Sequence, residues 1–339
     1  MTDHSFFERI NFLNLRISKT HPMTRLKYKL LFLVLAAAAS LNAQQLSLFT
    51  QYRENATVIN PAAVESDFLA FGQNITFGAS YRAQWVGLEN APTTQTLRGS
   101  YIHTRGSGVT FMAGGHVIND QTGPTGFTGA YGRIAGIVSG DPETGGFVVG
   151  LSAGAVNFRV DASQIRLREQ GDIVGTTDQS QFFPDVGVGL YYYRMVGRND
   201  NMIYGGLSVP QVFGLDLTFQ NEEGEYSTKR VQHYYGMFGF YAFLNDNSFL
   251  EPSVWIKYTE GAPTNVDFNL RYFTPVNFWV GAGASTAGNA HLETGVMLGD
   301  LAGYENTFRI GYGFDYSFSS FGPSAGATHE INLTMSLYR

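Results

Sequence analysis

The sequence contains no cysteine, and this absence excludes disulfides, cysteine metal sites and thiol-based catalysis. Charged residues are scarce as well, since they make up 15% of the chain against the usual quarter. The chain is instead rich in aromatic side chains, at 14%, and it holds 40 glycines among 339 residues. Few charges combined with much Tyr, Phe and Gly fit a β protein whose strands face lipid or another apolar surface.

A secretory signal peptide is predicted at residues 23–43. Three basic residues precede a short apolar run, Leu30 to Ala39, and Ala43 ends a small-residue cleavage pattern. The apolar run is shorter than the ~20 residues of a spanning helix, which argues against a membrane anchor. Residues 1–22 precede this complete signal and are interpreted as upstream sequence from a misassigned start. We therefore expect export, with cleavage near Ala43 and a mature chain that begins at Gln44.

The charge of the exported chain argues against nucleic acid as a partner. Residues 1–43 hold six of the 22 basic and two of the 28 acidic residues, so the mature chain carries 16 against 26, a net charge of −10. A nucleic-acid-binding protein needs a basic face. No later stretch approaches 18 consecutive apolar residues, so no transmembrane helix is predicted. An exported chain can still cross the outer membrane as a closed barrel, because closure pairs every backbone group.

Apolar and polar side chains alternate strictly over Val266–Tyr272, Thr307–Phe318 and Glu330–Tyr338. This period of two predicts strands with one apolar and one polar face. The apolar faces are long and aromatic, whereas the polar faces carry Arg, Asp, Asn and Gly. In an outer-membrane barrel the apolar face meets lipid and the polar face lines the lumen. Together with the signal peptide, the pattern favours an all-β transmembrane β-barrel over a soluble β-sandwich.

About fourteen antiparallel strands are predicted, an even number as a single-chain barrel requires. A merged or split strand leaves counts of 12 and 16 open. The candidate strands lie near residues 74–84, 94–103, 107–117, 126–138, 145–157, 184–195, 201–210, 228–244, 248–258, 264–274, 276–285, 291–299, 305–318 and 328–338.

The connections between these strands alternate in length. Phe158–Phe183 and Gln211–Ser227 are the two longest, and they are predicted to be external. The short set, predicted to face the periplasm, includes Thr104–Gly106, Asn245–Asn247 and Thr274–Asn277. Long outer loops with short periplasmic turns are typical of outer-membrane barrels. The connection near Asp300–Tyr304 is longer than the others of the short set.

The segment before the first strand, Gln44–Gln73, is predicted to be plug-like. It contains the turn signal Asn60-Pro61, and it is short enough to fold into the lumen. The barrel itself then comprises residues 74–339. No linker or low-complexity segment divides it.

No catalytic or cofactor-binding constellation is found. The mature chain has five histidines, none of them in a metal-ligand spacing: His103, His116, His233, His291 and His329. A GxSxG elbow and a phosphate-binding Walker loop are both absent. We therefore expect no cofactor, no metal and no enzymatic activity.

The tryptophans have a structural interpretation. Trp85, Trp255 and Trp279 are predicted to belong to the aromatic girdles at the membrane interfaces. Arg82 and Gln84 share one strand face, whereas Trp85 falls on the other. Arg82 and Gln84 are therefore predicted to line the mouth of the lumen, with Trp85 anchoring the strand end.

Three ordered motifs and the C-terminal strand resemble the PorP/SprF family of the type IX secretion system of Bacteroidetes. The motifs are LFTQYRENATVINPAAVES, YRAQWVGLENAPTTQT and HVINDQTGP. The ending with His329-Glu330-Ile331 is similar to the closing strand of the family. Asn90 and Thr93 depart from the family pattern, which has Gly and Lys there. The resemblance spans essentially the whole mature chain.

The resemblance implies a non-enzymatic outer-membrane component of the secretion and gliding machinery. Its implied partners are the lipid of the outer membrane, periplasmic subunits of the secretion complex, and a large adhesin-like substrate with a C-terminal sorting domain. It also implies a cluster at the barrel mouth, which either binds a partner or fixes the entrance. The cluster comprises Asn60, Pro61, Arg82, Gln84, Trp85, Gly87, Ala91, Pro92, Thr94, Gln95, Asn119, Asp120, Gly123 and Pro124.

Two other functions stay open on the residues alone. One is a plugged channel for small hydrophobic or sugar-like solutes, in keeping with a plug-like segment and a lumen lined by Arg, Asp and Gly. The other is an outer-membrane enzyme, which no constellation of residues in the sequence supports.

Overall fold

A computed structural model of the chain describes residues 49–104, 108–164, 179–214, 216–221, 224–229, 231–244, 247–299, 306–319 and 322–338. These residues belong to one compact unit, 42–339. The upstream segment 1–22 and the signal peptide 23–43 lie outside the described residues and stay predictions. The same holds for the longer connection near Asp300–Tyr304. None of the helices within these ranges is long and apolar enough to cross a membrane.

Sixteen strands are described, and all but β8 and β9 close into one antiparallel barrel. Neighbouring barrel strands follow one another along the chain, and β16 closes the circle on β1. The strands are β1 (Ile75–Ala83), β2 (Thr93–Ile102), β3 (Gly108–Thr122), β4 (Thr125–Ser139), β5 (Gly145–Val160), β6 (Gln179–Val196), β7 (Asn201–Val209), β8 (Asp216–Asn221), β9 (Gly224–Lys229), β10 (His233–Phe243), β11 (Phe249–Thr259), β12 (Asn265–Phe273), β13 (Phe278–Ser285), β14 (Asn289–Leu298), β15 (Thr307–Ser317) and β16 (Thr328–Leu337).

The barrel therefore has fourteen strands, and the predicted fold class and strand count are confirmed. Each predicted strand corresponds to one observed strand, with ends shifted by a few residues. We call the end that carries the β1–β2, β3–β4 and β5–β6 connections the loop end, and the opposite end the turn end. The long connections at the loop end mark it as the exterior side of an outer-membrane barrel.

The alternation along each strand separates a lipid face from a lumen face. In β16, Ile331 and Met335 are 48% and 43% exposed, whereas Asn332 and Thr334 between them are 3% and 2% exposed. The polar residues are buried because they point into the barrel. This orientation is the one that a barrel in lipid requires.

The hairpin β8–β9 was not predicted. It lies in the connection Gln211–Ser227, interpreted from the sequence as a loop, and its two strands pair only with each other. The predicted strand 228–244 begins later, at His233, because residues up to Lys229 belong to this hairpin. Charged residues around its turn hide the alternation that a hairpin leaves in the sequence.

The prediction that Trp255 and Trp279 form interface girdles is wrong. Both side chains are 2% exposed and lie on the lumen face. The Trp255 ring stacks on Tyr52 with the ring centroids 5.2 Å apart. The Arg271 guanidinium lies 5.7 Å from the Trp279 ring centroid. The parity of β11 and β13 explains the error, since both tryptophans fall in register with polar rather than lipid-facing residues.

Residues 49–73, which we call the lumenal segment, fold inside the barrel. They form two short helices, α1 (Ala56–Ile59) and α2 (Ser66–Phe71), and α2 ends at Gly72 with a φ of 74°. The segment runs from the loop end, where the Thr50 amide donates to Glu330, to the turn end, where Gln73 accepts from Thr307.

An apolar core fills the turn end of the barrel. It forms because inward-facing side chains near that end are apolar, and α2 packs among them. Its buried members include Phe68, Leu69, Ile102, Met112, Ile137, Val148, Tyr193, Tyr241, Phe249 and Phe273. The rest of the lumen holds buried charged side chains such as Arg82 and Glu330, together with a second, smaller apolar cluster of Val156 and Phe183.

Glycines in the wall make room for the lumenal segment. A Cβ added at Gly150 would lie 2.5 Å from both the Ala62 nitrogen and the Pro61 carbonyl carbon. Both contacts are with backbone atoms, which cannot rotate away. The wall and the segment therefore meet without a side chain between them.

We expect Gly150→Ala to destabilise the barrel by about 1–3 kcal/mol, the usual cost of overpacking. The measurement is the temperature at which the heat-modifiable folded band disappears on a denaturing gel. Gly132→Ala is the matched control on the neighbouring strand, because its added Cβ would meet nothing within 4 Å. Equal shifts for the two variants would contradict the close contact.

Candidate functional site

One carboxylate of the lumenal segment binds three strands of the wall. Glu54 is 3% exposed. Its carboxylate oxygens accept hydrogen bonds from Arg309 Nη2 on β15 at 2.7 Å and from Arg271 Nη1 on β12 at 3.0 Å. Arg98 Nη2 on β2 lies 3.9 Å away. The segment is thus held by charges from separate arcs of the barrel.

Two carboxyl groups beside Arg309, those of Glu54 and Asp67, have pKa values shifted in opposite directions. Burial would raise the pKa of Glu54, but the guanidinium groups of Arg309 and Arg271 outweigh it and hold that pKa well below its usual range. Burial raises the pKa of Asp67, although Arg309 Nη2 lies 2.7 Å from Asp67 Oδ1. The ionised Glu54 nearby also raises the pKa of Asp67. Glu54 therefore stays ionised near neutral pH.

A second group of charges fixes the start of the lumenal segment at the loop end. Arg82 on β1 lies 2.8 Å from Asp315 Oδ2 on β15 and 3.5 Å from Glu330 Oε2 on β16. Arg82 Nη1 also donates to Thr50 Oγ1 at 2.6 Å. Glu330 in turn accepts from the backbone N–H groups of Thr50 at 2.6 Å and Gln51 at 3.2 Å. Arg82 lines the lumen, and its partners come from the other end of the chain.

Further ion pairs extend the network along β10 to β14. Arg53 pairs with Glu251 and lies over the Tyr241 ring, 4.8 Å from its centroid. Lys257 Nζ lies 2.6 Å from Asp267 Oδ2. A cavity of about 20 Å³ lies beside Arg53 and Glu251. A cavity of that size holds about one water molecule.

The β1–β2 connection packs on the chain that leads into β16. The backbone N–H groups of Val86 and Gly87 donate to the carbonyls of Ala327 at 3.0 Å and Ala325 at 3.1 Å. The Trp85 N–H donates to Thr328 Oγ1 at 3.3 Å. Trp85 has a φ of 53°, a left-handed conformation that few non-glycine residues adopt. A Cβ at Gly87 would lie 3.0 Å from the Ala325 carbonyl oxygen, so glycine permits this approach.

The predicted strand 107–117 ends too early, because it leaves Asn119 and Asp120 in the connection to the next strand. Both residues lie in β3, which pairs with β4 as far as Thr122, and only Gly123 and Pro124 form the turn. The longer hairpin results from continued pairing of the two strands past the predicted end. Thr128 Oγ1 donates to Asn119 Oδ1 at 2.7 Å, which closes this part of the ladder.

Side-chain and backbone bonds join β2, the β1–β2 connection and the β3–β4 turn. Thr94 Oγ1 donates to Asp120 Oδ2 at 2.6 Å. The Gly123 N–H donates to the Asn90 carbonyl at 3.2 Å. Eleven predicted cluster residues lie in these neighbouring elements: Gln84, Trp85, Gly87, Ala91, Pro92, Thr94, Gln95, Asn119, Asp120, Gly123 and Pro124.

Asn60 and Pro61 lie on a different arc of the wall. Asn60 is 0% exposed, and its Nδ2 donates to the Leu190 carbonyl on β6 at 3.1 Å. The Pro61 carbonyl accepts from Arg133 Nη1 on β4 at 3.1 Å. This pair forms the turn between α1 and α2, where the wall glycines allow close approach.

Sequence reasoning identified Arg82 but missed the carboxylates and guanidinium groups that hold the lumenal segment. Their only signal in the sequence is their position on the polar faces of strands. Among the described residues, no group of three or more His, Asp or Glu side chains is placed to hold a metal ion.

The fold and the site define a class: an outer-membrane β-barrel whose lumen is filled by its own N-terminal segment. Residues 41–335 match the family described as Type IX secretion system membrane protein PorP/SprF, and the chain belongs to that family. No curated protein matches the chain.

Solved structures of similar fold are outer-membrane proteins. A mutant of the monoaromatic hydrocarbon channel TodX has a TM-score of 0.51 and 9% identity, and the match covers 83% of this chain and 93% of that one. A Pseudomonas aeruginosa FadL homologue matches with a TM-score of 0.47 and 10% identity over 89% and 96% of the two chains. The translocator domain of the autotransporter NalP from Neisseria meningitidis matches with a TM-score of 0.44 and 12% identity over 78% and 88%. The first of these likenesses shows the barrel fold and nothing about function.

We expect Glu54→Gln to destabilise the folded barrel by about 3 kcal/mol. This is the lower end of the range for breaking a buried ion pair, because Arg309 keeps Asp67 and Arg271 keeps Glu293 as partners. The measurement is denaturant unfolding of the protein in detergent or lipid. Glu143→Gln, on the exposed β4–β5 turn, is the control and should have no effect.

The pH dependence of this difference follows from the lowered pKa of Glu54. Its contribution is fully present above the ordinary Glu value of about 4.3, and it is lost as the pH falls toward the lowered pKa. The two proteins should therefore differ by a constant amount near neutral pH and converge only in strong acid. A difference that disappears between pH 7 and pH 5 would contradict an ionised Glu54.

Proposed function

We propose that the chain is a non-enzymatic component of the type IX secretion and gliding machinery. In this role it binds a large exported protein with a C-terminal sorting domain and helps to secrete it or attach it to the surface. The family match over residues 41–335 carries the proposal. Lipid of the outer membrane surrounds the barrel, after cleavage of the signal peptide near Ala43.

The filled lumen supports binding over conduction. Ion pairs from β2, β11, β12 and β15 fasten the lumenal segment, and hydrogen bonds to Arg82 on β1 and Glu330 on β16 hold its start. A solute would have to displace these buried charges, at a cost of several kcal/mol for each pair broken. Binding of a protein at the loop end leaves the network intact. The connections 161–178 and 210–232, which vary freely on a rigid wall, supply contacts to the substrate.

Each end of the barrel has its own partner in this proposal. The exported protein binds at the loop end, and periplasmic subunits of the secretion complex bind at the turn end. The loop-end cluster from Gln84 to Pro124 fixes the entrance, because hydrogen bonds join its neighbouring elements to one another. A plugged channel for small hydrophobic or sugar-like solutes is the second candidate, favoured by the charged side chains that line the lumen.

Affinity purification of a tagged full-length copy from detergent-solubilised outer membranes tests the proposal. We expect a large exported protein with a sorting domain, together with secretion-complex subunits, in the eluate. A copy in which a short linker replaces residues 216–229 of the hairpin is the matched control, because the hairpin lies outside the barrel sheet. That copy should fold and retain the subunits while it loses part of the exported protein.

A clean preparation of barrel alone, even after gentle cross-linking, would overturn the proposal. Solute-selective conductance in planar bilayers would then establish the channel.

A further inference from the structure

Strand β6 pairs along its whole length with β5 but along only half of it with β7. Its ladder with β5 runs from Gln179 to Arg194, whereas its ladder with β7 covers only Val188–Val196. In the part of the chain that the structure describes, no strand pairs with residues 179–187 on the β7 side. The hairpin β8–β9, which follows β7, pairs with itself. Among the described residues, the β7 side of β6 therefore has no paired strand at the loop end.

The direction of the backbone groups along this edge follows from two observations. The Val186 carbonyl accepts from the Val212 N–H at 2.8 Å, on the side away from β5. Alternate residues of an antiparallel strand direct their N–H and C=O groups to the same side. Ser180 and Phe182 therefore direct theirs to the open edge, as does the Pro184 carbonyl. Pro184, which has no N–H, occupies an edge position where proline is tolerated.

The chain that follows β7 limits this edge, because it already bonds to Val186. At Val186, the carbonyl is used by Val212, and the N–H donates to Asp185 Oδ1 at 3.0 Å. The available stretch is thus Gln179 to Pro184. It offers the N–H and C=O groups of two residues and one further carbonyl.

Apart from Pro184, this stretch lacks the usual protection of an edge strand. Its sequence, QSQFFP, carries no charge, although edges in natural proteins are commonly blocked by charged side chains such as Lys. Phe182 points outward and is 73% exposed. Phe183 points inward and packs with Val156 and the partly buried Phe127 and Phe158. Both faces beside the open edge are therefore apolar.

We propose that this edge binds an extended, uncharged segment of the exported protein, which adds to β6 as an antiparallel or parallel strand. Main-chain hydrogen bonds to Ser180 and Phe182 provide the affinity, as in other cases of strand addition. Apolar side chains at alternate positions of the segment contact Phe182 on one face and the Phe183 cluster on the other. This inference rests on the proposed function and names the surface at which the substrate docks.

A photo-reactive benzophenone amino acid in place of Phe182 tests contact at the edge in living cells. The control position is Phe268 on β12, which is 55% exposed on the lipid face but paired on both sides. We expect an adduct with the exported protein from position 182 and none from position 268. Mass spectrometry should map the adduct to one uncharged, alternating stretch of that protein.

Proline substitution tests the hydrogen bonds themselves. Ser180→Pro removes the N–H that faces the open edge and leaves the ladder with β5 unchanged. Ser180→Ala is the matched control, because it also loses the bond from Ser180 Oγ to Asn157 Oδ1, 2.8 Å long, but keeps the N–H. We expect recovery of the exported protein to fall about fivefold with Ser180→Pro, the effect of one net hydrogen bond, and to be unchanged with Ser180→Ala. Both variants should retain the heat-modifiable folded band.

The outcomes separate this inference from the proposed function. If the unaltered protein recovers the exported protein but position 182 gives no adduct and the two Ser180 variants behave alike, the edge is not the docking site. Adducts with a second copy of this chain, or with residues of the same chain, also overturn the inference. If the unaltered protein recovers no exported protein at all, both the proposed function and the docking site fail.

Discussion

A backbone amide or carbonyl left without a partner in hydrocarbon costs several kcal/mol, and the architecture follows from that cost. Strands can pair all of these backbone groups only by closing into a barrel, so β16 pairs with β1. Closure directs one face of every strand inward, and that face is polar because the outward face must be apolar. A closed polar lumen then needs its own partners. The lumenal segment supplies them through Glu54, Glu65 and Asp67, which neutralise arginines from several strands.

The ion pairs and the apolar core divide the interior between them. Near the turn end, Phe68 and Phe249 belong to an apolar core that excludes water. Toward the loop end, Arg82, Asp315 and Glu330 hold the beginning of the segment by charge. Buried ion pairs contribute less net stability than an apolar core of equal volume. Separating the two charges is strongly destabilising, however, because each is then buried without a partner. The arrangement therefore sets the position of the segment more than it adds to the stability of the barrel.

The alternation in the sequence was sufficient to predict the strands, because a lipid-facing strand must repeat every two residues. Strand ends were less well defined. Asn119 and Asp120 were assigned to a loop, since their polarity resembles that of a turn, yet they extend β3. Residue type alone predicts Trp255 and Trp279 at the membrane interface, whereas strand parity directs them inward. The sequence does not predict the partners of Glu54. Arg271 and Arg309 lie more than 200 residues away along the chain, and the pattern of a single sequence carries no information on contacts over such separations.

The path of the lumenal segment has a consequence for how the barrel is assembled. Thr50 and Gln51 bond to Glu330 on the last strand, and Thr50 also bonds to Arg82 on the first. The residues that precede the barrel thus bridge its closing seam from within. A seam between the first and last strands has no covalent link to set its register, and the segment provides a template that does. The register of the seam and the placement of the segment are therefore coupled, so a change at Thr50 acts on both.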